Sequence, residues 1–294
     1  MGFSDLVFYR LPVTQYRDLA ALFTIKKNAL SFIIIISAMF HFSVQATAQR
    51  IISLAPHTTE LIYALGMGEH LVGVSDYSNY PPQAEQLPSV ANYNGLDFEA
   101  IMQLKPDLIV AWQGGNKPQD IARLSSLGFS VYSSAPQSPD DISKDIVKLG
   151  ETLGRSEQAL ILANQFQAEL DQLKQRYLTQ AKIRVFYYMW TSPLMTIGAD
   201  AWATKLLDIC GATQIFNDSM VAYPEVSKEQ VISRQPTLLI AAMKIKELDA
   251  QQFWQPTHSL LKAPVVVVNP DELHRFTPRL INGLTSMCKQ INGF

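Results

Sequence analysis

Short apolar runs alternate with amphipathic ones along most of the chain. Residues 50–54, 71–74, 108–111 and 129–132 are runs of four or five mostly apolar positions, the length and density of buried strands. Between them the apolar positions recur at three- and four-residue steps, which predicts helices over 58–65, 97–104 and 118–127. Gly66 is placed to end the first of these. Strands alternating with helices at this spacing imply parallel pairing in an α/β sheet. Next, Leu162, Phe166, Leu170, Leu173 and Tyr177 form one stripe at steps of 4, 4, 3 and 4. No Gly or Pro occurs from 156 to 180, so the stripe predicts one helix of about 37 Å at 1.5 Å per residue. That length suits a rigid strut between two lobes. Beyond it the alternation resumes, with strands over 183–188, 238–241 and 265–268 and helices over 201–209 and 278–291.

The two halves also resemble each other. Residues 99–111 (EAIMQLKPDLIVA) lie over 229–241 (EQVISRQPTLLIA) at a constant offset of 130. Glu, Pro, Leu and Ala match, and four further positions exchange one apolar residue for another. Six residues before each Glu stands a tyrosine, Tyr93 and Tyr223. Helix–Pro–strand units recur in many α/β proteins, but that pattern requires neither the paired Glu nor the paired Tyr.

The first 48 residues do not continue the pattern. Lys26 and Lys27 precede an apolar run from Ala29 to Phe40, and Ala46-Thr47-Ala48 follows. A short basic region, an apolar core and an Ala-x-Ala end make a secretory signal peptide, and the run is short for a membrane span. An uncleaved anchor is the alternative. No Cys follows the run, which argues against a lipid-modified terminus, and residues 1–25 read as an extension from an upstream start codon, with an extended basic region of the leader as the alternative. Division of the chain is therefore expected at 1–48 (signal peptide), 49–153 (first lobe), 154–181 (linking helix) and 182–294 (second lobe).

Charge narrows the partners. Of 24 basic and 26 acidic residues, the leader holds four and two, which leaves 20 and 24 and a formal charge of −4. No basic run or stripe survives, so nucleic acid is excluded as a partner class. In an exported chain Cys210 and Cys288 read as a disulfide, with two buried thiols as the alternative.

Catalytic signatures are absent: there is no Gly-x-Ser-x-Gly elbow, Walker A loop or His-Glu-x-x-His. His57, His70, His258 and His274 lack ligand spacing, and His57, after the first strand, is the candidate for a site assembled from both lobes. Aromatic loops are the positive signal. Tyr77, Trp112 and Trp190 each follow a strand end, and Tyr93 and Tyr223 lie in loops leading into helices. Ligands of open parallel sheets sit beyond the carboxyl ends of the strands. Loops there rich in Tyr, Trp, Gly and Asn suit a large flat ligand with a polar rim. The segment VVVVNPDELHRFTPR (265–279) brings a buried strand to that edge and sets Asp271 and Arg275 four residues apart. Spacing alone leaves a helix-surface salt bridge or a polar ligand contact.

RIISLAP (50–56) with TEL (59–61), DYSNYPP (76–82), LKPDLIVAWQGGN (104–116) and VSKEQV (226–231) together resemble the periplasmic cobalamin-binding proteins of vitamin B12 ABC importers, over about 50–290. The first motif is shared with iron-siderophore and haem binders, whereas the Tyr-Pro-Pro and Trp-x-Gly-Gly-Asn segments are closer to cobalamin binders. The resemblance implies two similar parallel-sheet lobes joined by one long helix, with the ligand clamped in the cleft and no catalysis. It implies that Tyr77, Tyr93, Trp112 and Tyr223 line the cleft, with Trp190 beside them, and that Asp271 and Arg275 meet the polar edge of the ligand. It further implies that Glu99 and Glu229 dock onto the permease. Tyr93 and Tyr223 stand where the best-known family member has tryptophan, and the segment around Trp190 aligns poorly. The expectation is a periplasmic monomer, with cobalamin as transported ligand and no resident cofactor or metal. Haem or a ferric siderophore in the same fold is the alternative, and an exported hydrolase is the rival from another class.

Overall fold

The computed structural model describes residues 50–178 and 182–293. The expected signal peptide and the end of the predicted strut at 179–180 lie outside the described residues. Among the described residues no helix is long and apolar enough to cross a membrane.

Two sheets organise the chain. The first has six strands: β1 (Ile51–Ser53), β2 (Leu71–Ser75), β3 (Ser89–Asn92), β4 (Gly95–Leu96), β5 (Leu108–Trp112) and β6 (Val131–Ser134). Their order is β4-β3-β2-β1-β5-β6, and only the β3–β4 pair is antiparallel. The second has β7 (Ile183–Thr191), β8 (Leu194–Thr196), β9 (Ala212–Gln214), β10 (Leu238–Ala242) and β11 (Val265–Val268), ordered β11-β10-β7-β8. There β9 pairs parallel with the start of β7, and β8 pairs antiparallel with its end. Each sheet thus has a parallel centre and one antiparallel strand that the periodicity did not signal. A two-residue strand and a hairpin return are too short to show a period.

Helices cover both faces, and the alternation along each strand assigns them. Ile51 and Val110 face one core cluster, while Ile52, Ile109 and Ala111 face another with Val90, Ile101 and Leu124. In the second sheet Tyr187, Leu238 and Ile240 share the first cluster, and Phe186, Tyr188, Leu239 and Ala241 pack with Ala250 and Trp254. Burial on both faces explains why these strands read as continuous apolar runs.

The helices α1 (Pro56–Ala64), α2 (Phe98–Leu104), α3 (Pro118–Ser126), α4 (Pro139–Thr152) and α5 (Ser156–Tyr177) belong to the first half. Next come α6 (Trp202–Ile209), α7 (Lys228–Arg234), α8 (Glu247–Trp254), α9 (Pro270–Leu273) and α10 (Leu280–Asn292). The expected strut is α5, whose 22 residues span about 33 Å. Phe166, Leu170, Leu173 and Tyr177 are buried on it, with Leu162 at the margin. It packs against α4, α6 and α10. Helix α4 was not foreseen, although its capping box, in which Ser138 and Asp141 satisfy each other's backbone, was readable in the sequence. The strand expected at 129–132 lies two residues later, because Gly128 turns left-handed and Phe129 still closes onto Leu124. The final helix begins at Leu280 rather than 278, after a short helix that already holds Asp271.

Cys210 and Cys288 form a disulfide (Cα–Cα 4.7 Å) that ties the end of α6 to α10. Both residues are fully buried.

The candidate ligand cleft

The carboxyl ends of β5, β7, β10 and β11 converge on two adjoining cavities. One, of about 350 Å³, lies between the lobes and is lined by Trp112 from the first and by Met189, Trp202, Ala203, Tyr223, His274 and Phe276 from the second. The other, of about 490 Å³, belongs to the second lobe alone and shares Met189 and His274 with the first. Trp190, Lys244 and Ile245 are among its other walls.

The Trp-Gln-Gly-Gly-Asn stretch explains how Trp112 is set. The Asn116 side chain accepts the Trp112 backbone N–H (2.7 Å) and donates to the Leu54 carbonyl (2.9 Å), which pins the turn to the end of β1. The indole then lies over the two glycines. A Cβ on Gly115 would come within 2.0 Å of the ring, and one on Gly114 within 2.7 Å, so no side chain fits at either position. From the second lobe Phe276 meets Trp112 edge-on (5.5 Å between centroids), His57 (4.9 Å) and Trp202 (4.5 Å). These four rings make an aromatic floor that crosses the lobe boundary.

Below that floor lies a buried ionic clasp. Glu60 of α1 is 4% exposed, and its carboxylate accepts from Arg275 (2.7 Å), Arg279 (2.9 Å) and Thr277 (3.1 Å), all of the second lobe. Arg275 also donates to the Tyr77 carbonyl (3.1 Å) and the Asn79 side chain (2.8 Å), and it pairs with Asp271 at 3.1 Å. Asp271 in turn holds Lys244 at 2.6 Å. The Arg279 guanidinium stacks 3.8 Å over the ring of Tyr80. Both arginines thereby hold the Asp-Tyr-Ser-Asn-Tyr loop of the first lobe, in which Tyr77 adopts a left-handed φ of 63°.

Two histidines, His274 in the walls of both cavities and His57 in the aromatic floor, are neutral rings. Burial pushes the His57 imidazole down to about 3, helped by the Arg275 charge, and its Nε2 lies 3.1 Å from the Ser134 hydroxyl. Ser134 donates onward to Asp145 (2.6 Å). For His274 burial also dominates and brings the ring to about 4, although the Asp271 carboxylate acts in the opposite direction. Its Nε2 is 2.8 Å from the Tyr187 hydroxyl. Among the described residues no group of three His, Cys, Asp or Glu side chains is placed to hold a metal ion.

Of the residues singled out in the sequence, Trp112, Tyr223 and Trp190 line the cavities. Tyr77 and Tyr93 do not; they stand 77% and 87% exposed on the first lobe. Asp271 and Arg275 form the ion pair that their spacing allowed, but inside the clasp rather than at a free edge. The α9 turn and Glu60 draw the guanidinium inward. Glu99 and Glu229 are exposed in the first turns of α2 and α7. Sequence reasoning missed Met189, Trp202, His274 and Phe276 in the cavity walls and Glu60 in the clasp. His274 and Phe276, on either side of Arg275, lie in the 265–279 stretch, and Glu60 lies in the Thr-Glu-Leu motif, but neither spacing nor residue type marked them as wall or clasp residues.

The periplasmic binding protein family profile matches residues 51–263. The chain belongs to this family. A vitamin B12-binding protein of Photorhabdus laumondii is 37% identical over 264 residues, which covers 90% of this chain and 94% of the relative. The crystal structure of the periplasmic vitamin B12 binding protein BtuF of Vibrio cholerae superposes with a TM-score of 0.78 at 38% identity, covering 83% of this chain and 97% of that one. A periplasmic haem binding protein of Pseudomonas aeruginosa superposes at 0.74 over 84% of this chain and 93% of its own, but at 21% identity, a likeness of fold alone. As a periplasmic binding protein the chain is a ligand carrier rather than an enzyme. Its cleft has to be judged by what it holds.

Proposed function

We propose that this periplasmic binding protein captures cobalamin and delivers it to an ABC importer. The observation that carries the reading is the aromatic cavity between the lobes, in a chain 37% identical over 90% of its length to a vitamin B12-binding protein. A corrin is broad, flat and fringed with amides. Trp112, Phe276, Trp202 and Tyr223 supply apolar area at little cost in side-chain entropy. Tyr77 and Tyr93, exposed on the first lobe, cover the outer part of the ligand, and Trp190 extends the aromatic wall on the second. Asp271 offers the amide fringe an acceptor, and Arg275 acts mainly by holding Asp271 and the Tyr77 loop in place. Cobalamin is cargo, with no resident cofactor. The protein works as a monomer, reaches the periplasm by a cleavable leader over residues 1–48, and meets the permease through Glu99 and Glu229.

Calorimetry of the mature protein with cyanocobalamin, haemin and a ferric hydroxamate tests the assignment. Cyanocobalamin should bind with a Kd of about 1 µM or tighter, some 8 kcal/mol of binding free energy. Tight binding of haemin or the siderophore, with none for cobalamin, would replace the reading with one of those ligands.

A further inference from the structure

The larger cavity is not needed to clamp a flat ring between lobes, since it lies in the second lobe alone, at the carboxyl ends of β7, β10 and β11. It adjoins the interlobe cavity, and Met189 and His274 line both. A planar ligand seated between the lobes therefore turns one face toward it, and whatever projects from that face enters it. At about 490 Å³ it falls within the roughly 300–1,000 Å³ typical of small-molecule sites, large enough for a nucleoside.

Its chemistry selects the kind of projection. Met189, Met243 and Ile245 give soft apolar walls, and sulfur–aromatic contacts are favourable. Trp190 adds an indole, anchored by a hydrogen bond from its Nε1 to the Ser192 carbonyl (2.8 Å). Among the described residues that line the cavity, Lys244 is the one cation, and Asp271 holds it at 2.6 Å. An anionic group entering here would have to compete with that carboxylate and would meet its charge. A neutral flat group with a few hydroxyls meets no such opposition.

Resting on the cobalamin reading above, we infer that this cavity receives the upper axial substituent of the corrinoid and is sized for an adenosyl group. The anionic nucleotide tail on the opposite face of the ring then points toward the first lobe. The carrier thus accepts the bulky adenosyl form as readily as the small cyano form, and residues of the β7 and β10 ends set that tolerance.

Met243→Trp and Ile245→Trp, each placing an indole in the cavity, test this by titration with cyanocobalamin, adenosylcobalamin and the tail-less adenosylcobinamide. The unaltered protein should bind the cyano and adenosyl cobalamins within about threefold of each other, under 1 kcal/mol. Each variant should weaken both adenosyl ligands at least about tenfold, or 1.4 kcal/mol, and leave cyanocobalamin within about threefold. Retained cyanocobalamin binding also serves as the control for folding. Equal losses for the cyano and adenosyl cobalamins would place the tail or the ring itself in the cavity and overturn the inference. So would unchanged binding of every ligand. If the unaltered protein binds no corrinoid, the parent reading fails first, and that result is distinct from the other two.

Discussion

Glu60 is buried, and three donors from the other lobe surround its carboxyl group. Removing one partner of such a pair leaves the remaining charge without compensation, and the cost is typically about 3–5 kcal/mol. Glu60→Gln should therefore lower the unfolding free energy, read from urea titration, by an amount near the bottom of that range, since the amide oxygen can still accept. Glu60→Leu combined with Arg275→Met should cost less than the sum of the two single changes, because neither charge then remains to be stranded. Additive losses in that cycle would show that the pair is not coupled. At this scale the sequence was legible where the constraint was local. Trp112, its two glycines and Asn116 lie within five positions and could be read together. Glu60 could not be read that way. Its partner is 215 positions away, and its own setting, Thr-Thr-Glu-Leu, looks like any helix opening.

The offset of 130 seen in the sequence is a geometric repeat of whole elements. Helices α2 and α7 have seven residues each, capped at the start by Asp97 and Ser227 and ended by Lys105 and Gln235 in the left-handed region (φ 46° and 47°). Arginines at equivalent places, Arg50 and Arg184, donate to the carbonyls of Leu104 and Arg234, the last helical residues. Asp107 and Thr237 donate their backbone N–H to the carbonyls of those same arginines at 2.8 Å. Neither left-handed residue is Gly, so nothing in residue type announced the turn. The repeat was visible only because apolar pattern and spacing survived together. The disulfide belongs to the same scale. It joins α6 to α10 across 78 residues, and a loop of that length restricts the unfolded chain by roughly 4 kcal/mol on the chain-entropy account. Replacing both cysteines with Ala, or unfolding in the presence of dithiothreitol, should lower stability by up to that amount. Identical urea midpoints with and without reductant would count against it.

For the whole molecule, the repeat has a functional corollary. Two equivalent helices present Glu99 and Glu229 to solvent, one on each lobe, as a two-fold partner would require. Glu99→Ala with Glu229→Ala should leave cobalamin affinity unchanged and abolish uptake in cells that depend on this carrier. Loss of affinity in the double variant would instead put the carboxylates in the site. The two-lobed plan was legible from the repeat and the long stripe of α5. The continuous core was not, because periodicity reports which face is apolar and never what covers it. That core joins Ile51, Leu61 and Val110 of the first lobe to Tyr187, Leu207 and Ile240 of the second, with α4 and α5 between them.

This core also sets an order of assembly. All strands of the first sheet precede α5 and all strands of the second follow it, so the chain passes between the sheets once. A chain released N-terminus first can pair β1 to β6 before the second lobe becomes available. The apolar stripe of α5, however, is also packed by α10, the last of the described helices, through a cluster that includes Leu280, Leu284, Met287 and Ile291. Until those thirteen residues arrive, the growing molecule carries a finished sheet beside an uncovered seam. Docking of α10 completes that seam, and the Cys210–Cys288 bond fastens it.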